Sequence, residues 1–227
     1  MTLMNLQALS EMYLYHGTST KKLDKILEKG IEPRGRRKSV WAEFPSHPDR
    51  VYLTNAYAIW FAMRAVDNYG GDCVVFKVDV SEEWLMADED ALAQAKWTDD
   101  DLKWLNNQSL QEKTLFWKEK IPEYPWLYQT SLEFLGNCTH NGVVMPHEIE
   151  KYVVFEYTAE FFFAFDPNIS LMNYRILGER YRKSLEAFVE SDGKEGRNPQ
   201  EYAPYFAELK KFMNEHDKKG LAPISTN

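Results

Sequence analysis

The segment from Cys73 to Val80, Cys-Val-Val-Phe-Lys-Val-Asp-Val, constrains the fold of this chain more than any other. Valine at that density favours an extended backbone, because branching at Cβ packs well on a pleated surface. Gly70-Gly71 punctuates the chain just before it. Such a strand needs partners, so the chain must build a sheet. Two shorter apolar stretches, Met12 to Tyr15 and Val51 to Leu53, supply earlier strands. Between them, Leu23, Ile26 and Leu27 fall on one helical face that Gly30 closes. Residues 32 to 50 are rich in Pro, Gly, Arg and Ser and read as a loop. Asn55 is placed to cap a second helix with Ile59, Ala62, Met63 and Val66 on its apolar face.

The later chain is less regular. Residues 81 to 125 read as an insertion that carries Trp84, Trp97, Trp104 and Trp117 and an acidic cluster. A short helix is expected over Trp126 to Leu135. Strands are expected at Gly142 to Met145 and Lys151 to Tyr157, and a further one at Phe161 to Phe163. Tyr174, Leu177, Tyr181, Leu185 and Phe188 then step by three or four, and Tyr202, Phe206, Leu209 and Phe212 mark a last helix. The expected organisation is an α+β domain over residues 1–165, with the insertion at 81–125, and a C-terminal helical appendage over 166–227.

The totals narrow the function classes. In 227 residues, 44% hydrophobic and 15% aromatic, there is ample material for a core. A net charge of -8 argues against nucleic-acid binding over the whole surface. The charge is uneven, with eight acids against one Lys between Glu82 and Asp101, and eight Lys or Arg against three acids between Lys21 and Lys38. No apolar run approaches the ~20 residues that cross a bilayer, so no membrane partner is expected. The two cysteines, Cys73 and Cys138, lack metal-ligand spacing. The simplest expectation is a reduced, cytoplasmic protein with no bound metal.

The chemistry-bearing residues begin at His16-Gly17-Thr18. A His at a strand end places an imidazole at the sheet edge, Gly admits close approach to the backbone, and Thr offers a hydroxyl. That set suits a ribose hydroxyl and a carboxamide. Tyr52, in Val51-Tyr52-Leu53-Thr54, together with Tyr57 suits a flat ring held on both faces; Tyr52 equally suits a core, and Trp60 and Phe61 read as core before they read as ligand contacts. Arg34, Arg36, Arg37 and Lys38 could hold a pyrophosphate or line a solvated loop. Asp88-Glu89-Asp90 reads as an exposed acidic surface before it reads as a metal or basic-target site. Cys138 and His140 are a weaker pairing of nucleophile and base.

With Tyr15-His16-Gly17-Thr18 and Val51-Tyr52-Leu53-Thr54 in this order, the chain resembles the ADP-ribosyltransferase superfamily over roughly residues 12 to 157, most specifically before about residue 65. It is also similar to phage and bacterial proteins that share these blocks and the Asp-Glu-Asp element. The resemblance implies a split, mixed β-sheet with a cleft for NAD. It implies that His16 bonds ribose, that the Gly17 backbone meets the nicotinamide amide with Thr18 assisting, and that Tyr52 stacks on nicotinamide. His16 and Tyr52 thereby join the catalytic set. Polymerase- and diphtheria-type members add a Glu near a late strand, a role that falls first on Glu148, between Pro146 and the strand that follows, with Glu150 in reserve and Glu133 a third. Alignment on Tyr152-Val153-Val154-Phe155 instead puts Lys151 at the Glu position. The implied activity is cleavage of the nicotinamide-ribose bond and transfer of ADP-ribose to a macromolecular acceptor, protein or nucleic acid. The alternatives are an inactive NAD- or nucleotide-binding module and an RNA 2'-phosphotransferase-like enzyme.

Overall fold

The computed structural model describes residues 13–35, 46–157, 174–195 and 223–224. Six strands form one sheet. They are β1 (Leu14–Ser19), β2 (Arg50–Thr54), β3 (Cys73–Val78), β4 (Leu85–Ala87), β6 (Asn137–Asn141) and β7 (Ile149–Phe155), in the order β4-β6-β2-β1-β3-β7. The short β5 (Lys96–Trp97) pairs in parallel with β8 (Pro223–Ile224) in a separate ladder. The helices are α1 (Leu23–Lys29), α2 (Ala58–Tyr69), α3 (Glu89–Gln94), α4 (Leu110–Lys120), α5 (Leu127–Leu135) and α6 (Tyr174–Glu190). The chain is therefore α+β. Among the described residues no helix is long and apolar enough to cross a membrane. The expected strand at Phe161 to Phe163 and the last helix marked by Tyr202 and Phe212 lie outside the described residues.

The six-stranded sheet is antiparallel at every pairing, which corrects the expected mixed sheet. β2 and β3 run the same way, but β1 lies between them, so α2 carries the chain across the central strand and the parallel pair never touches. That crossing explains Gly17. A Cβ there would overlap the Ala58 carbonyl oxygen and lie 2.7 Å from the Ala62 nitrogen. Gly17 thus lets the α2 backbone lie directly on β1.

Alternation along the strands sorts the side chains into two faces. Tyr15, Cys73, Val75, Val153 and Phe155 pack under α2 and α6. Leu14, Val51, Leu53, Val74, Phe76 and Cys138 form the opposite face with Ile26 of α1. Tyr181, Leu185, Phe188 and Val189 of α6 are buried in the first of these clusters. This helix therefore packs on the sheet and shares its core. Leu27, expected on the inner face of α1, is exposed.

The segment 81–125 is less an insertion than a second core. Trp97 and Trp117 are fully buried with ring centroids 4.9 Å apart, among Leu92, Leu105, Ile121 and Leu127. Ser109 and Glu112 close a reciprocal capping box at the start of α4. The segment also contributes β4 to the sheet edge. Two boundaries differ from the sequence reading. Asn55 does not cap α2, because the Thr54 hydroxyl accepts from Ala56 N and Tyr57 N and donates to Gly136 O at 2.7 Å. The strand expected at Gly142 to Met145 lies earlier, at β6, and from that stretch Val144 makes an isolated bridge to Ile31.

Candidate functional site

β1 pairs with β3 along its whole length but meets β2 at one position, Tyr15 opposite Thr54. Beyond it the two strands part. At the parting, His16 Nδ1 lies 3.0 Å from the Tyr52 carbonyl oxygen. A carbonyl accepts only, so Nδ1 carries the proton and donates, and Nε2 is left as an acceptor. An imidazole here stands where a backbone ladder bond would otherwise join the strands. Extending the single register pair puts Tyr52 opposite Gly17. The structure thus brings His16, Gly17 and Tyr52 to one place.

His16 is crowded by its surroundings, and the loss of hydration lowers its pKa from 6.5 to about 4, against a smaller upward pull from the Tyr52 carbonyl. The ring is neutral at pH 7. With the folded pKa below the unfolded value, its contribution to stability is complete above about pH 6.5 and is lost as pH falls toward 4. The expected loss is at most about 3 kcal/mol. Asp90, raised by burial to about 6, works in the opposite sense over the same window. The contribution of His16 is therefore read as a difference. Denaturant midpoints of the wild type should fall more steeply between pH 6.5 and 4 than those of His16→Gln. Parallel curves would exclude this role.

Tyr52 alternates with Val51 and Leu53, so its ring lies on the face opposite His16, and the two side chains meet through the Tyr52 backbone. Its hydroxyl donates to Glu89 Oε1 and accepts from His47 N at 2.7 Å. Burial, with the adjacent Glu89 charge, pushes the phenol pKa far up, so it stays protonated. Part of the residue still reaches solvent. Thr18 is buried on the His16 face of β1. Tyr57 is wholly buried, its ring centroid 6.0 Å from that of Tyr181. It is a core residue and supplies no second face for a ligand ring. Trp60 and Phe61 belong to the same core cluster.

The basic loop is partly committed. Arg34 donates through Nε and Nη2 to Ser46 O, at 2.9 and 2.7 Å, and through Nη1 to Gly35 O, so it fastens the two ends of the loop. It also edges an open groove of about 530 Å³ with Lys25, Asp49, Gly142 and Val143, which includes neither His16 nor Tyr52. Arg36, Arg37 and Lys38 lie outside the described residues.

The three carboxylates expected at the site are engaged or turned away. Glu148 Oε2 accepts from Met145 N at 2.6 Å and caps the turn before β7, two strands from β1. Glu150 pairs with Lys77 Nζ at 3.2 Å. Glu133 is on the exposed side of α5. Lys151, which takes the Glu position in the alignment, bonds Glu190 O and Asp192 at the end of α6. Cys138 is buried among apolar side chains and its thiol is pushed up by that burial, so it is no nucleophile for His140.

The carboxylate that does touch a site residue is one that the sequence reading missed. Glu89 is fully buried, against an expected exposed acidic surface. The three acids diverge into three tasks. Asp88 caps α3 by accepting from Asp90 N and Ala91 N, Glu89 receives the Tyr52 hydroxyl, and Asp90 faces Thr114. Among the described residues no group of three His, Cys, Asp or Glu is arranged to hold a metal. The available signal was the wholly apolar Ala91-Leu92-Ala93 just after the acids, which draws the first turn of this helix inward. The chain matches no protein-family model and no curated protein.

Proposed function

We propose that this chain is an ADP-ribosyltransferase-type protein that takes NAD at the parting of β1 and β2 and passes ADP-ribose to a macromolecular acceptor, protein or nucleic acid. The observation that carries the reading is the parting itself, bridged by a neutral His16 with Tyr52 opposite Gly17. The free Nε2 would accept from a ribose hydroxyl. Tyr52, part of which reaches solvent, would stack on nicotinamide. Bond cleavage leaves positive charge on the sugar, which a carboxylate stabilises. Glu89 touches Tyr52 but is fully buried, so it acts through Tyr52 and leaves that task to another group.

His16→Ala should weaken NAD binding by about 1–3 kcal/mol, the loss expected for a buried polar contact. Calorimetry on the folded variant with wild-type affinity would remove His16 from the site. Because the ring is neutral down to about pH 4, wild-type affinity should stay level from pH 7 to 5.

A second reading, a binding module without transfer, is favoured by the engagement of Glu148 and Glu150 elsewhere. Adenylate-labelled NAD incubated with the protein and a cell lysate separates the two. Label on protein or nucleic acid with release of nicotinamide supports the transferase. Tight NAD binding without release supports the module. The RNA 2'-phosphotransferase reading needs several free basic groups, and Arg34 is committed to its loop.

A further inference from the structure

Tyr52 is held at its far end. Its hydroxyl donates a hydrogen bond to Glu89 Oε1 and accepts one from His47 N, so both the donor and an acceptor direction of the phenol are fixed. Glu89 itself sits on a braced element. It opens α3, which Asp88 caps, and Asp88 N donates to Ser131 Oγ at 3.0 Å. The other carboxylate oxygen, Oε2, is buried and has no hydrogen-bond partner among the described residues. Its nearest cation is Arg50 Nη1 at 4.0 Å, also buried and also without a hydrogen-bond partner there. Arg50 therefore offsets the charge of Glu89 without competing for the tyrosine.

We propose that Glu89 is a positioning residue for NAD, whose buried carboxylate fixes the direction in which the Tyr52 ring presents its face to the nicotinamide. The proposal rests on the NAD reading above. A hydrogen bond to a carboxylate is roughly twice as strong as one between neutral groups. A phenol so anchored loses its freedom about both side-chain torsions before any ligand arrives, which lowers the cost of binding. Glutamine at this position keeps the shape and weakens the anchor. Its amide nitrogen would also face Arg50, donor against donor.

The test compares NAD with ADP-ribose, which lacks nicotinamide. Both are titrated by calorimetry into the full-length wild type, Glu89→Gln, Tyr52→Phe and the double variant. Each single substitution should weaken NAD binding about 10-fold, which is ~1.4 kcal/mol. The double variant should be no weaker than the weaker single, because both remove one bond. ADP-ribose affinity should change less than about twofold in all three. Equal losses for both ligands would show a merely structural role and overturn the proposal, as would additive losses in the double variant. Should Glu89→Gln fail to fold, Tyr52→Phe alone must still show the split between the two ligands. A wild type that binds neither ligand overturns the NAD reading and this role together. A wild type that binds NAD, with Glu89→Gln unchanged, overturns the role alone.

Discussion

Arg50→Met should cost this protein about 3–5 kcal/mol of folding stability, because it leaves Glu89 as a buried charge with no cation beside it. Arg50 and Glu89 side chains are 3% and 0% exposed, so solvent cannot take over from the lost partner. The pair is not close enough for a hydrogen bond, and the attraction is that of charges across a gap of 4.0 Å. Removing both charges should be far milder. Arg50→Met combined with Glu89→Leu replaces the pair by apolar groups, and most of the loss should return apart from the hydroxyl of Tyr52, now without an acceptor. Urea midpoints of the wild type, Arg50→Met, Glu89→Leu and the double variant decide it. A double variant as unstable as the sum of its parts would show that the two side chains act independently.

Gly17→Ala should be the most damaging methyl group that can be added to β1. The added carbon overlaps a carbonyl oxygen and approaches a backbone nitrogen of α2. Overpacking a core typically costs 1–3 kcal/mol, and more where nothing can yield. Here the obstacles are main-chain atoms of Ala58 and Ala62, so no side-chain truncation makes room. The expected result is a loss above about 3 kcal/mol, or failure to fold, that Ala62→Gly does not repair. A Gly17→Ala protein with a wild-type melting temperature would mean that α2 does not lie on β1 in this way.

The order of elements was legible where hydrophobic periodicity governs. Cys73 to Val78, the helix through Ile59 and Met63, and the helix through Tyr181, Leu185 and Phe188 follow their patterns. β6 was not legible, because Asn137-Cys138-Thr139-His140-Asn141 lacks the alternation of a half-buried strand. The inward residues on one of its faces are polar, and Thr139 sits opposite Tyr52 with its hydroxyl donating to Ala87 O. For the same reason Glu89 looked like surface. Burial of a charge depends on a partner brought from elsewhere in the chain, and Arg50 and Tyr52 are 39 and 37 positions away. Of the candidate site, the sequence placed His16 at a strand end on the sheet edge, whereas it lies within β1, an inner strand between β2 and β3, because β2 and β3 both pair with it; the engagement of Glu148, Glu150 and Arg34 depends on local hydrogen bonds that spacing does not encode.

The imidazole bridge at the parting has a mechanical consequence. A ladder of backbone bonds transmits strain from strand to strand, because each bond is fixed in register with the next. A lone pairing and one rotatable side chain do not. The two three-stranded leaves, β4-β6-β2 and β1-β3-β7, are joined within the sheet by one residue pair, Tyr15 and Thr54, and by the His16 ring, and beyond that by side-chain packing, with Leu14 and Val74 of one leaf against Val51 and Leu53 of the other in a single cluster. At this seam strain passes through packed side chains and one imidazole, where every other pair of neighbouring strands has a backbone ladder.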